Sequence, residues 1–207
     1  QETISLKDRL FIFASRSLRE LILEIKEKIS SLYFLPASRS GLYTGSQSFF
    51  PILTELSKKR GYITQKLELP AMAEPIADYI LRLSEIKPSI RNKSRFYEIA
   101  RLIEDKILKG NVDVDTRRNQ LIYRPSGSSL GLFMSSSSSM VSEISPIVVF
   151  LKYVMEKQPV SNSGLRTSRE KEFPGAKPLI FIEEPEAHLH PEAQVLLIET
   201  FAELVSV

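Results

Sequence analysis

The stretch that decides the fold is LIFIEEPEAHLHPEAQ, residues 179–194. Its first four residues are apolar and lead directly into Glu183 and Glu184, and Pro191 is placed to open a helix. A short apolar run bounded in this way is typical of a buried strand in an α/β sheet. Because ligands bind outside the carboxyl ends of the strands in such sheets, we predict a central, buried parallel strand with both carboxylates at its ligand-facing tip.

Two adjacent carboxylates at such a tip suit the chemistry of phosphoryl transfer. One can hold Mg²⁺, directly or through water, while the other orients or deprotonates a water for in-line attack. Without a cation the two groups would repel, and the pKa of at least one would rise. The simpler alternative is that Glu183 and Glu184 only mark the exit of a strand into solvent; Pro185, the two histidines and the following helix argue against it.

His188 and His190 are the only histidines in the sequence. An H-x-H pair beside carboxylates can bind zinc, so a zinc hydrolase that uses both histidines and Glu184 is an alternative that metal analysis would settle. His190 has a second explanation, helix capping, since it directly precedes the helix that is predicted to begin at Pro191.

The N-terminal part of the chain predicts helices around one strand. Apolar residues recur at three- and four-residue spacing over residues 6–30, which indicates an amphipathic helix. The run SLYFLPA, residues 31–37, predicts a buried strand halted by Pro36. A further helix is expected around residues 49–60.

Residues 73–86 and 94–108 predict two more helices, the second ended by Gly110. The periodicity then changes, and residues 111–124 predict a β-hairpin. Residues 125–139 are expected to form a loop that closes on a flexible serine linker.

Residues 140–155 are expected to be helical, with Pro146 in the first turn or so. A polar surface insertion is expected over residues 156–177, and a last helix over residues 192–205. The fold class is therefore α/β, with core segments at 1–48 and 111–207 and a helical insert at 49–110 that carries much of the positive charge.

Composition narrows the class of protein further. The 207 residues include no cysteine, which excludes disulfides, cysteine nucleophiles and cysteine-ligated zinc and suits the cytoplasm. No apolar run approaches the roughly 20 residues needed to span a bilayer. Residues 1–110 hold 19 Lys and Arg against 13 Asp and Glu, and residues 111–207 hold 9 against 12. This asymmetry permits a polyanion partner, although a solvated helical surface is the better explanation.

The string of residues 179–194 resembles the Walker B and D-loop motifs of ABC-type P-loop ATPases, in the group that contains RecF, SMC-like proteins and the OLD nucleases. It is especially similar to stand-alone AAA/ABC-hybrid ATPases related to OLD. YFLPASRSGLY, residues 33–43, and SSMVSEISPIVVFLKY, residues 138–153, also resemble segments of those ATPases. The resemblance implies a P-loop NTPase core with an inserted helical subdomain, and ATP and Mg²⁺ as ligands.

The resemblance also implies roles for individual residues. Glu183 matches the Walker B acid that holds Mg²⁺, and Glu184 matches the catalytic glutamate. Residues 186–190 match the D-loop at a dimer interface, which places His190 beside the nucleotide. Ser138 and Ser139 stand where the signature loop would meet the γ-phosphate of a partner's ATP, at a helix N-terminus. For Arg39 two interpretations remain open: contact with a phosphate or partner, or a surface or salt-bridging role.

Two features depart from the family pattern. Met140 and Val141 stand in place of the signature glycines, and no G-x-x-x-x-G-K-[ST] occurs in these 207 residues. We therefore expect the Walker A motif upstream and the histidine switch downstream, and no ATPase activity from the 207 residues alone.

The implied function is ATP hydrolysis by a head-to-tail homodimer that closes around two nucleotides. It would drive DNA maintenance or phage defence, with DNA or a nuclease as a possible partner and no membrane. The alternative is a non-catalytic, degenerate ATPase fold that serves as an interaction or nucleic-acid-binding module.

Overall fold

A computed structural model describes residues 6–58, 72–86, 94–118, 120–155 and 176–206. The chain divides into two compact units: Gln1–Leu32 with Ser161–Leu179, and Tyr33–Val160 with Ile180–Val207. Within the described residues, no helix combines the length and apolar character that a membrane span requires.

The first unit contains helix α1, Leu6–Lys28, which confirms the predicted amphipathic helix. Ion pairs one turn apart, Arg16 with Glu20 and Lys28 with Glu24, stabilise its exposed polar surface. Its apolar side chains Leu18 and Leu21 are also exposed.

Strands β1, Ile29–Leu35, and β5, Lys177–Ile182, are neighbours in a two-stranded sheet. The backbone N–H of Glu183 donates to the Leu35 carbonyl at 2.9 Å, so the carboxyl ends of both strands lie side by side and the pair is parallel. Both strands were predicted, but the expected burial of β5 is wrong: Leu179 and Phe181 are 36% and 53% exposed. In the described part of the chain β5 pairs with one strand, β1, whereas a central strand would pair with a strand on each side.

Helix α2, Arg39–Lys58, begins ten residues before the predicted start at residue 49. Gly41 and Gly45 each cost a helix about 1 kcal/mol relative to alanine, which is why the sequence did not indicate a helix here. Arg39 and Tyr43 are one turn apart on α2 and both are buried. Burial of that face outweighs the weak propensity, and the predicted boundary at residues 48 and 49 falls inside the helix.

Tyr43 ties α2 to the neighbouring hairpin and gives a test of this packing. The Leu121 N–H donates to the Tyr43 hydroxyl at 2.8 Å, and burial raises the pKa of that hydroxyl to about 12. We expect Tyr43→Phe to lower the free energy of unfolding by about 1–3 kcal/mol, because it leaves a buried N–H without an acceptor. Urea denaturation followed by circular dichroism measures the loss. Thr44→Ala, at the exposed next residue, is the control and is expected to change little.

Helices α3, Glu74–Ser84, and α4, Tyr97–Ile103, confirm the two predicted helices. A π-helical turn, Glu104–Leu108, extends α4 and ends at Lys109, whose φ is +51°. The residue that ends the helix, in a left-handed conformation, is thus Lys109, whereas Gly110 was predicted to end it. Gly110 is required for space, since a Cβ there would collide with the Tyr123 ring and the Arg124 carbonyl.

Strands β2, Gly110–Asp115, and β3, Gln120–Pro125, form the predicted antiparallel hairpin. A third strand, β4, Leu132–Phe133, pairs with β3 inside the segment predicted to be a loop. The serine linker is also ordered: Met134–Ser136 form a 3₁₀ turn. The expected flexible segment therefore has regular structure, because Met134 lies in the hydrophobic core and Leu132 packs against that core.

Helix α5, Ser139–Val149, continues as a π-helical turn, Phe150–Val154, and lies at the centre of the core. Pro146 sits inside the helix, which corrects the predicted position in the first turn. A proline there costs about 3 kcal/mol, but almost every neighbouring side chain of α5 is fully buried and packing exceeds that cost.

Helix α6, Pro191–Ser206, confirms the last predicted helix and its opening proline. Most of the predicted insertion, residues 156–175, lies outside the described residues. The three-part division at 1–48, 49–110 and 111–207 stays a prediction.

Candidate active site

The candidate site is built where β1 and β5 end. The Glu183 N–H donates to the Leu35 carbonyl in the last hydrogen bond of the strand pair. The Ala37 N–H donates to Glu183 Oε2 at 3.2 Å. A carboxylate has about four acceptor sites, so this bond orients the side chain and leaves acceptor capacity free. Glu183 and Glu184 directly follow β5, at the predicted tip, and both are exposed.

Arg39 lies directly beneath the tip and is 0% exposed. Its Nη1 donates to the carbonyls of Pro36 at 3.1 Å and Glu183 at 2.6 Å, and its Nη2 donates to the carbonyl of Glu184 at 3.2 Å. One guanidinium therefore joins the ends of both strands through their backbone oxygens.

Glu143 connects the same arginine to α5. Arg39 Nε donates to the Glu143 carbonyl at 3.1 Å and lies 3.8 Å from its Oε2. The Ser40 hydroxyl donates to Glu143 Oε1 in a short hydrogen bond. Burial lowers the pKa of Arg39 below its ordinary value and the Glu143 carboxylate opposes that shift, so the pair remains compensated. The salt-bridging interpretation of Arg39 is confirmed; the surface interpretation is wrong.

The backbone at the carboxylates is unusual. Glu184 has a φ of +41° and His188 a φ of +64°. Such values cost a residue other than glycine about 1–3 kcal/mol and concentrate at functional sites. The Ala187 N–H donates to the Glu184 carbonyl at 3.0 Å and the Leu189 N–H to the Glu186 carbonyl at 3.1 Å. These bonds fold the segment after the strand into tight turns.

The serine segment begins α5, as the sequence suggested. Ser138 is the N-cap: its Oγ accepts the Val141 N–H at 3.3 Å. Both Ser138 and Ser139 are exposed, and a hydroxyl that accepts one hydrogen bond can still donate its proton. The link that the structure shows between this helix and the carboxylates runs through Glu143 and Arg39.

His190 marks the start of α6, where its carbonyl accepts the Gln194 N–H at 3.0 Å. His188 and His190 are both exposed. No three His, Asp or Glu side chains within the described ranges come together in a group that could hold a metal ion. The structure thus gives the zinc alternative no support.

The donor set at the tip fits Mg²⁺ instead. Mg²⁺ is held by one or two carboxylates together with substrate phosphates and water, not by a closed protein cage. Two exposed carboxylates at a strand end, one oriented by the Ala37 N–H, meet that requirement.

Sequence reasoning missed the role of Glu143 and the depth at which Arg39 is buried. One feature of the sequence could have indicated the position of Arg39: this residue lies three residues beyond Pro36, which ends a predicted strand. Its partners are 104 and 144 residues away along the chain, which no local pattern predicts.

The family described as AAA ATPase domain matches this chain over residues 9–207. No curated protein and no solved structure matches the chain significantly. The parallel strand pair within a mixed helix and strand architecture is consistent with the α/β fold of P-loop ATPases.

Proposed function

Because the chain belongs to the AAA ATPase domain family, we propose that the complete protein binds and hydrolyses ATP, with Glu184 as the catalytic carboxylate and Glu183 as the Mg²⁺ ligand. The observation that supports this most is the pair of exposed carboxylates at the tip of a parallel strand, set on backbone that the buried Arg39 holds.

The chemistry assigns the two carboxylates different tasks. Glu184 orients the attacking water and accepts its proton, a contribution of about 10²–10⁴-fold for a general base. Glu183 holds the cation, oriented for that task by the Ala37 N–H. Mg²⁺, when bound, neutralises charge on the β- and γ-phosphate oxygens.

The remaining roles rest on the resemblance of residues 179–194 and 138–153 to ABC-type ATPases of the OLD-like group. We propose that Ser138, Ser139 and His190 contact nucleotide across a homodimer. Exposed hydroxyls at a helix N-terminus suit a phosphate. We propose that the free energy of ATP hydrolysis drives DNA maintenance or phage defence.

The Mg²⁺ assignment is tested by Glu183→Gln in the complete protein. We expect the Mg²⁺ concentration for half-maximal ATP hydrolysis to rise by at least about 10- to 100-fold, the loss that removal of an outer-shell partner of a metal ligand already causes. Titration of Mg²⁺ at fixed ATP measures the change. Glu192→Gln is the matched control, since this exposed glutamate lies in the first turn of α6. Equal Mg²⁺ dependence of Glu183→Gln and wild type would show that Glu183 is not the ligand.

A further inference from the structure

The left-handed backbone of Glu184 requires an explanation, because such a conformation persists only where the surrounding structure fixes it. Strand β5 ends at Ile182, and continued extended backbone would turn the carbonyls of Glu183 and Glu184 to opposite sides. In the structure both carbonyl oxygens meet the same guanidinium. The change of direction therefore takes place between these two carbonyls.

Arg39 binds the carbonyl oxygens on both sides of the Glu184 Cα. The φ and ψ of Glu184 are the two rotations that relate the Glu183 and Glu184 carbonyl groups, and Nη1 and Nη2 bind one oxygen each, at 2.6 and 3.2 Å. A guanidinium is a rigid planar fork, so it fixes the spacing and direction of the oxygens that it binds.

The guanidinium is itself held by two other acceptors: the Glu143 carbonyl accepts from Nε and the Pro36 carbonyl accepts from Nη1, both at 3.1 Å. The Tyr79 hydroxyl donates to the backbone carbonyl of Arg39 at 3.1 Å, a bond to the main chain of α2. The Arg39 side chain is fully enclosed. Contacts with α5 and with the end of β1 therefore fix the position of the guanidinium independently of Glu184.

From this geometry we propose that Arg39 is a positioning residue, which sets the backbone of Glu184 through the two flanking carbonyls and so aims the carboxylate at the attacking water. The inference rests on the proposed function of Glu184. It adds a residue that touches neither nucleotide nor water and acts through the backbone alone.

The test is Arg39→Lys in the complete protein. An ammonium keeps the charge beside Glu143 but is a point donor that cannot span both carbonyls. We expect kcat for ATP hydrolysis to fall by about 10- to 100-fold, as for small misplacements of a reacting group, with the KM for ATP little changed. Tyr79→Phe is the matched control: it removes a buried hydrogen bond to the Arg39 backbone and leaves the fork in place, so kcat should stay near wild type.

Amide hydrogen exchange without nucleotide gives a second, activity-independent measurement. The Ala187 N–H is bonded to the Glu184 carbonyl, so its exchange should accelerate in Arg39→Lys and not in Tyr79→Phe. If Arg39→Lys fails to fold, Arg39→Gln combined with Glu143→Gln leaves no unpaired buried charge and takes its place.

Wild-type kcat or unchanged Ala187 exchange in the Arg39 variant would overturn the inference, as would an equal loss of kcat in Tyr79→Phe. Absence of ATP hydrolysis by the wild-type protein would instead overturn the proposed function. The exchange comparison would then decide by itself whether Arg39 fixes the backbone of Glu184.

Discussion

Glu184→Gln in the complete protein is expected to lower kcat for ATP hydrolysis by about 10²–10⁴-fold while ATP binding stays near wild type. The amide keeps the size of the side chain but can neither accept the proton of the attacking water nor supply the negative charge that polarises it. Because Glu184 is exposed, the substitution leaves no buried group unpaired and should not change stability. Steady-state hydrolysis and equilibrium nucleotide binding, measured on the same samples, separate the two effects.

The same variant tests the proposed homodimer. If ATP closes the dimer and hydrolysis opens it, Glu184→Gln should accumulate as a dimer with ATP and not with ADP, which light scattering detects. Glu192→Gln should behave as wild type in both assays. Normal turnover by Glu184→Gln would exclude this residue as the catalytic carboxylate. Absence of hydrolysis by the wild-type protein would favour the non-catalytic interaction module.

Lys152→Met is expected to lower the free energy of unfolding by about 3–5 kcal/mol, the cost of breaking a buried ion pair from one side. Lys152 is 1% exposed, and its Nζ lies 2.6 Å from Glu104 Oε1 and 2.8 Å from the Val112 carbonyl. Methionine fills a similar volume, so the loss reports charge and not a cavity. The chain has no tryptophan, so circular dichroism or tyrosine fluorescence should follow denaturation.

The pH dependence of this variant has a definite sign. Burial raises the pKa of Glu104, and the ammonium of Lys152 opposes that rise. Without Lys152 the pKa of Glu104 rises further above its unfolded value, so the variant is most stable below the unfolded pKa and loses stability as the pH increases. We therefore expect the loss of stability in Lys152→Met to become smaller as the pH is lowered from neutral to mildly acidic.

Two controls accompany Lys152→Met. Adding Glu104→Gln should restore most of the stability, since the amide oxygen can still accept the Val112 N–H and no charge remains unpaired. Lys106→Ala removes one partner of an exposed pair, 4.0 Å from Glu203, and should cost at most about 1 kcal/mol. A loss of stability from Lys106→Ala as large as that from Lys152→Met would show that burial does not explain the contribution of the Lys152–Glu104 pair.

Where local pattern and tertiary environment agree, the fold could be predicted from sequence. The helices of residues 73–86 and 94–108, the hairpin and the final helix each have a regular period and a clear stop, and each is present. The start of α2 could not be predicted, because the burial of Arg39 and Tyr43 outweighs two glycines. Strand β4 was missed for a related reason: two residues have too little pattern to reveal their pairing.

For the candidate site, the sequence predicted which carboxylates lie at the strand tip but not how they are held. Glu183 and Glu184 follow an apolar run, and that position alone places them. The left-handed φ of Glu184 depends on contacts with Arg39, and nothing in the residues around Glu184 indicates them. Local sequence was enough to predict which candidate side chains lie at the tip, whereas their orientation depends on residues far away in the chain.

The separation of Arg39 from its partners also has a consequence for the order of folding. The β2–β3 hairpin joins residues at most 15 positions apart and can form within microseconds. The bonds from Arg39 to Glu183 and Glu184 join residues 144 and 145 positions apart. Closing such long loops costs more entropy than closing the hairpin, so these contacts form more slowly. During synthesis, Arg39 leaves the ribosome long before the carboxylates that complete its surroundings. The tip of β5 is therefore completed late, and a nascent chain that stops before Glu183 leaves Arg39 with the Pro36 and Glu143 carbonyls as acceptors and without those of Glu183 and Glu184.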